Sequence, residues 1–201
     1  MQKENWTLLA CFILIYFLPL YCNGFVPSDI YGFQAKNIRG ELVNLSIYRG
    51  KVLLIVNVAS ECGYTDNHYK ELNELQHIFN DGSFLILAFP CNQFGAQEPK
   101  RNSAIERFVK HTYDVDFPLF SKVQVIGDNA HPLYKWLKSV HGVEPSWNFG
   151  KYLINRSGQV VKFEPPTVSP LAMLDEIERL IIHQSVDPDE TESSENNKDE
   201  L

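Results

Sequence analysis

Two apolar runs of strand length, Val52 to Val58 and Phe84 to Phe89, flank a segment with helical periodicity, and nothing else in the chain restricts its fold as much. Val52 to Val58 is almost unbroken, as suits a strand buried on both faces. Between the runs, Tyr69, Leu72, Leu75 and Phe79 recur at helical spacing, and Asn80-Asp81-Gly82 closes the segment. Strand, helix and strand joined by one crossover imply two parallel neighbours in a sheet.

Other elements assemble around this unit. Gln34 to Asn44 reads as a short hairpin turning near Arg39-Gly40. Ser103 and Glu106 fit a capping box ahead of a helix containing Ile105, Phe108 and Val109, and a further helix runs from about His131 to Val140. Tyr152 to Ile154 and Val160 to Phe163 flank Asn155-Arg156-Ser157-Gly158 as a second hairpin. Ser169-Pro170 is a cap with proline at the first helical position, and Leu171, Leu174, Ile177 and Ile181 form the buried stripe of a last helix. The expected class is α/β, a mixed sheet with flanking helices and an N-terminal hairpin, and the element order resembles the thioredoxin-like fold.

With 201 residues, 44% of them hydrophobic, the chain fills one domain, expected over residues 25–185. Its formal charge is −7, of which residues 186–201 hold −6 through seven acids against Lys198, leaving −1 for the rest. That final stretch reads as an acidic disordered tail. A nearly neutral body has no basic face with which to displace counterions, so a nucleic-acid partner is excluded.

Residues 1–24 read as a signal peptide: Lys3, an apolar run from Trp6 to Tyr21, then Cys22-Asn23-Gly24 with small residues suited to cleavage after Gly24. The other reading is an uncleaved signal anchor, although the run is near the lower limit of ~17 residues for a spanning helix. Either reading sends the body into the secretory pathway. Lys198-Asp199-Glu200-Leu201 is the address read by the luminal retrieval receptor, so the expected location is the endoplasmic reticulum lumen. Removing the leader takes Cys11 and Cys22 and leaves Cys62 and Cys91 in an oxidising compartment. Two thiols there form a structural disulfide or a redox pair, and spacing alone does not choose.

Cys62 lies just past the C-terminal end of the first buried strand and just before a helix begins. Open α/β sheets bind ligands at that end, and unpaired N–H groups of a helix N-terminus favour a thiolate. The thiolate is the nucleophile a peroxide reductant needs, although position alone leaves a buried structural cysteine open. Three stretches then resemble the signatures of the glutathione peroxidase family. They are Asn57-Val58-Ala59-Ser60-Glu61-Cys62-Gly63-Tyr64-Thr65, Leu87-Ala88-Phe89-Pro90-Cys91-Asn92-Gln93-Phe94-Gly95-Ala96-Gln97-Glu98-Pro99, and Trp147-Asn148-Phe149-Gly150-Lys151-Tyr152-Leu153. The resemblance spans about residues 28 to 182.

It implies a peroxidase in which Cys62 is the peroxidatic cysteine and Gln97, Trp147 and Asn148 complete a tetrad. Neutral amide and indole donors solvate a thiolate without pinning it as an ion pair, and they also stabilise the alkoxide that leaves as the O–O bond breaks. Gln93 competes with Gln97 for its role, but the family's glutamine matches Gln97. No prosthetic cofactor is implied; the co-substrate is a thiol, either glutathione, with Cys91 idle, or a reduced protein disulfide isomerase. The rival reading from another class is a non-enzymatic luminal sensor or binding protein, which has no need of Gln97, Trp147 and Asn148 together. His68 and His131 are lone histidines without ligand spacing, so no metal site is expected.

Four departures from the family's best-known members stand out. Cys62 replaces selenocysteine, which implies slower chemistry. The connection from Val140 to Trp147 lacks the insertion that builds tetramers, which implies a monomer. No basic cluster matches the one that holds glutathione in tetrameric members, and the helix after Glu98 carries no resolving cysteine. The resemblance, closest to the luminal branch, leaves Cys91 as the resolving candidate, handing oxidising equivalents to a disulfide isomerase; in much of the family this cysteine has no resolving role. Asn44-Leu45-Ser46 and Asn155-Arg156-Ser157 are acceptor triplets for N-glycosylation, both near expected turns.

Overall fold

In the computed structural model, residues 26–183 are described. The leader with Cys11 and Cys22, and the acidic tail with its final four residues, lie outside them. In chain order the elements are β1 (Gln34–Lys36), β2 (Leu42–Asn44), β3 (Val52–Val58), α1 (Thr65–Ile78), β4 (Phe84–Pro90), α2 (Asn102–Tyr113), α3 (Pro132–His141), β5 (Lys151–Ile154), β6 (Val160–Glu164) and α4 (Leu174–His183). None of the described helices is long and apolar enough to cross a membrane.

The main sheet is mixed, in the order β4-β3-β5-β6. β3 pairs in parallel with β4, from Val52 opposite Phe84 to Val58 opposite Pro90, and antiparallel with β5. Every residue of β3 is buried, which explains the unbroken apolar run. Alternate side chains of the strand serve two cores. Val52, Leu54, Val56 and Val58 pack with Tyr69 and Leu72 of α1, Ile105 of α2 and Ile177 of α4. Leu53 and Ile55 pack on the other face with Leu133, Tyr134 and Leu137 of α3 and with Ala35 of the hairpin. Helices thus cover both faces of the sheet, the expected α/β arrangement.

The hairpin forms a separate two-stranded sheet. Its turn is tightened by the Asn37 carboxamide oxygen, which accepts from the N–H groups of Arg39 and Glu41, and Gly40 supplies a φ of 89°. Two helix starts differ from the sequence expectation. The Ser103–Glu106 capping box does not form: α2 begins at Asn102 behind Arg101, which makes no side-chain cap. Glu106 instead pairs with Arg39 at 3.2 Å and Lys110 at 3.3 Å, ionic partners that draw its carboxylate away from the helix start. The last helix opens as a 3-10 turn over Pro170–Met173, and the Ser169 hydroxyl bonds the Glu71 carboxylate of α1 rather than capping its own turn.

Leu54, fully buried on the central strand, provides a direct test of the double-sided core. Leu54→Ala should lower unfolding free energy by about 2–5 kcal/mol, read from the urea midpoint at unchanged slope.

Candidate active site

The parallel pairing brings the C-terminal ends of β3 and β4 to one edge, and the Cys91 N–H donates to the Val58 carbonyl at 3.0 Å. Cys62 sits four residues beyond β3 in a turn closed by Thr65, the first residue of α1. The Thr65 hydroxyl donates to the Ala59 carbonyl at 2.8 Å and accepts from the Cys62 N–H at 3.0 Å. The Thr65 N–H returns a bond to the Cys62 carbonyl at 3.0 Å. Cys62 is therefore held against the opening turn of α1, 9% exposed, with a free thiol.

The segment after β4 approaches this turn through its backbone, where the Glu61 N–H donates to the Gln97 carbonyl at 3.0 Å. Gly95 and Ala96 both adopt left-handed backbone, with φ of 63° and 53°. The glycine accepts that conformation without cost, and the alanine is the smallest side chain that must bear it. Asn148, fully buried, reaches Gln97 from the segment ahead of β5: its Nδ2 donates to Gln97 Oε1 at 2.9 Å and to the Phe94 carbonyl at 3.4 Å. Trp147 is 38% exposed, with its ring 6.1 Å from that of Phe94. The structure thus joins Gln97 and Asn148 directly, ties the Gln97 backbone to the turn carrying Cys62, and leaves Trp147 at the surface beside Phe94.

Gln93 has a different task. Its side-chain oxygen accepts from the Val125 and Ile126 N–H groups at 2.6 and 3.0 Å, and its Nε2 donates to the Ile126 carbonyl at 2.9 Å. It fastens a loop. Beneath it, Cys91 is fully buried, and its thiol lies 3.6 Å from Gln93 Oε1. Burial pushes the Cys91 thiol pKa up. Cys91 also belongs to the core on the α3 face, whereas Cys62 packs with the core on the α1 face. The two sulfurs share an end of the sheet but lie on opposite faces of it, and both are free.

Sequence reasoning passed over several supporting residues. Asn57, fully buried within β3, donates from Nδ2 to the Trp147 carbonyl at 2.9 Å, and its backbone brackets Phe149 and Gly150 through bonds of 2.6 and 3.3 Å. Phe149 is held in left-handed backbone, with φ of 66°. A side chain at Gly150 would place its Cβ 3.0 Å from Asn57 Oδ1 and 3.1 Å from the Phe163 ring. Lys151, also fully buried, donates from Nζ to the carbonyls of Phe149 and Pro165 at 2.9 and 3.0 Å. Burial lowers its pKa to about 8. His68 packs between Tyr64 and Phe149, and burial, followed by the charge of Lys151, lowers its pKa to about 4. The signal for Asn57 was a lone carboxamide inside an apolar strand. Among the described residues, no group of histidine, cysteine or carboxylate side chains is placed to hold a metal ion.

Asn57→Ala removes the side-chain bond that fixes the Trp147 carbonyl and leaves that carbonyl to find another donor. Stability should fall by about 1–3 kcal/mol. Amide exchange across Trp147 to Gly150 should accelerate more than exchange in α2, and equal effects on both would show that the segment does not depend on Asn57.

Three comparisons bear on this arrangement. The family model for glutathione peroxidase matches residues 30–138. Human glutathione peroxidase 7 is 56% identical over 142 residues, covering 71% of this chain and 76% of the relative. A probable phospholipid hydroperoxide glutathione peroxidase of Citrus sinensis is 48% identical over 158 residues, covering 77% of this chain and 95% of the relative. The crystal structure of T. cruzi GPX1 superposes with a TM-score of 0.62 at 34% identity, over 76% of this chain and 96% of that one. With a thioredoxin-like sheet, a cysteine at its C-terminal edge and relatives matched over most of their length, the chain belongs to the glutathione peroxidase family and is a peroxidase.

Proposed function

We propose that Cys62 is the peroxidatic residue, that Gln97, Trp147 and Asn148 support it, and that a thiol reduces it in the endoplasmic reticulum lumen. The observation that carries this reading is the bond between Asn148 and Gln97 beside a turn whose Glu61 N–H holds the Gln97 carbonyl. It supports a pair of oriented neutral amides next to a free thiol at the mouth of α1.

The Cys62 thiolate attacks one oxygen of a hydroperoxide, forming the S–O bond of a sulfenic acid as the O–O bond breaks. The departing alkoxide or hydroxide takes up a proton and leaves as alcohol or water. Amide donors aimed at the developing oxyanion lower that barrier. An incoming thiol then attacks the Cys62 sulfur, water leaves, and a mixed disulfide remains. A second thiol releases Cys62 and carries away the disulfide.

An isomerase dithiol supplies both thiols in one partner, and its potential of about −180 mV makes it a usable donor. The luminal location rests on the leader and the terminal Lys198-Asp199-Glu200-Leu201. Glutathione is the alternative reductant. The short connection between α3 and β5 supports a monomer. In the lumen, Asn44 is exposed and open to glycosylation, while Asn155 uses its side-chain oxygen to accept from Ser157 and Gln159 N–H groups within its turn.

The position of Cys91 favours direct reduction by the incoming thiol. A pair between Cys62 and Cys91 must draw together sulfurs that belong to opposite cores, which requires the chain after β4 to open first. The reading in which Cys91 resolves is favoured by one fact, its backbone bond to Val58 at the same sheet edge.

Cys62→Ser should abolish peroxide consumption in stopped-flow assays while the fold persists; rapid turnover in that variant removes Cys62 from its role. Gln97→Ala or Asn148→Ala should slow the oxidation step on the order of 10²-fold. With a reduced isomerase as sole electron donor, Cys91→Ser should turn over like the unaltered protein. Selective loss with the isomerase, together with a disulfide between residues 62 and 91 on peptide mapping, would instead make Cys91 the resolving thiol.

A further inference from the structure

Glu98 follows Gln97 and is fully buried, an unusual position for a carboxyl group without an ionic partner at hydrogen-bond distance. Its Oε2 accepts from the hydroxyl of Ser60, two residues before Cys62, at 3.0 Å. Its N–H donates to Asn92 Oδ1 at 2.8 Å, and its carbonyl accepts from Lys122 Nζ at 2.9 Å. Its other carboxyl oxygen, Oε1, is buried without a hydrogen-bond partner. The lysine ammonium is spent on backbone carbonyls, including that of Lys100 at 2.8 Å, rather than on the carboxyl oxygens.

We propose that Glu98 is a positioning residue for peroxide reduction: its buried carboxyl, bonded to Ser60, fastens the segment that presents Gln97 to the turn that presents Cys62. The polar links between these two segments include the Glu61–Gln97 backbone bond, the Ser60 hydroxyl and N–H toward the Glu98 carboxyl, and an exposed ion pair of Lys100 with Glu61 at 3.2 Å. An exposed pair contributes little. The Ser60–Glu98 bond, whose carboxyl is fully buried, is the side-chain link better shielded from water, and it lies at the residue next to Gln97. The proposal rests on the peroxidase reading of Cys62 and Gln97.

The carboxyl also makes the clamp sensitive to pH. Burial raises the Glu98 pKa to about 7, opposed by the Ser60 hydroxyl and by Lys122, with Glu61 adding to the rise. Tyr69 of α1 and the Cys91 thiol also feel its charge. A folded pKa above the unfolded one stabilises the fold fully below about pH 4.5, and this contribution is lost as pH rises through about 7. Glutamine at this position accepts the Ser60 hydroxyl without ionising.

The test compares Glu98→Gln, Glu98→Leu and Ser60→Ala in the full chain, using hydrogen peroxide for oxidation of Cys62 and iodoacetamide for its alkylation. Displacing a donor by about 1 Å costs on the order of 10²-fold in rate, so Glu98→Leu should lose at least tenfold in the oxidation step. Ser60→Ala should show a smaller loss, and Glu98→Gln should keep most of the rate. Alkylation, measured at a pH high enough that the Cys62 thiol is ionised in every variant, makes no oxyanion for the Gln97 donor to stabilise and should change far less than oxidation in all three. The stability of Glu98→Gln relative to the unaltered protein should rise between about pH 5 and about pH 8.

Amide exchange at residues 60–62 and 92–98 reads the clamp whether or not peroxide is consumed. It should speed up in Ser60→Ala and Glu98→Leu and hold in Glu98→Gln. An unaltered protein that ignores peroxide would defeat the peroxidase reading, whereas unchanged exchange in Ser60→Ala would defeat the clamp. Wild-type oxidation rates in a folded Glu98→Leu, or equal losses in oxidation and alkylation, would also overturn the positioning role.

Discussion

The structure depends on β3 being covered on both faces while it pairs in parallel with β4. A strand with no exposed residue cannot slip by one position without exchanging its two cores, so the register from Val52 opposite Phe84 to Val58 opposite Pro90 is fixed by packing. Fixing it also fixes which two chain segments leave the sheet at the same end. Cys62 emerges on one of them and Gln97 on the other. β5 runs antiparallel to β3, so its start lies at that same end and delivers Asn148 there.

Buried polar groups hold these three segments together. Asn57 and Glu98 bond across from one segment to another, Thr65 closes the turn that carries Cys62, Lys151 ties the segment ahead of β5 to Pro165, and all four are buried. Such bonds contribute modestly to net stability, but a broken partner left in a dry interior is costly. The arrangement therefore favours one geometry strongly over near alternatives, including left-handed backbone at Ala96 and Phe149 that would relax if released. Preorganised donors suit a reaction whose transition state spreads charge over sulfur and oxygen.

Much of this was legible in the residues. The apolar runs gave both parallel strands, and the helical spacing of Tyr69, Leu72 and Leu75 gave the crossover, because burial leaves a periodic trace in sequence. Cys62, Gln97 and Asn148 were legible through motifs rather than periodicity. Asn57 and Glu98 were quoted within those motifs yet assigned no task, since their work consists of bonds to residues that are distant in sequence. Ser103 and Glu106 matched a local rule and were overridden by the remote Arg39. Cys91 was placed correctly at the strand end, but its face required the alternation of Phe89 and Ala88 to be followed past Pro90.

His68 and Glu98 are both buried, with pKa values displaced in opposite senses, to about 4 and about 7. Near pH 5 to 6 the unfolded chain carries a largely protonated histidine and a largely ionised glutamate, whereas the folded chain carries both groups neutral, at about their two displaced values. Folding then moves one proton, in effect, from imidazole to carboxylate and exchanges almost none with solvent. A fall in pH across that interval would leave the balance between folded and unfolded chains almost untouched by these two groups.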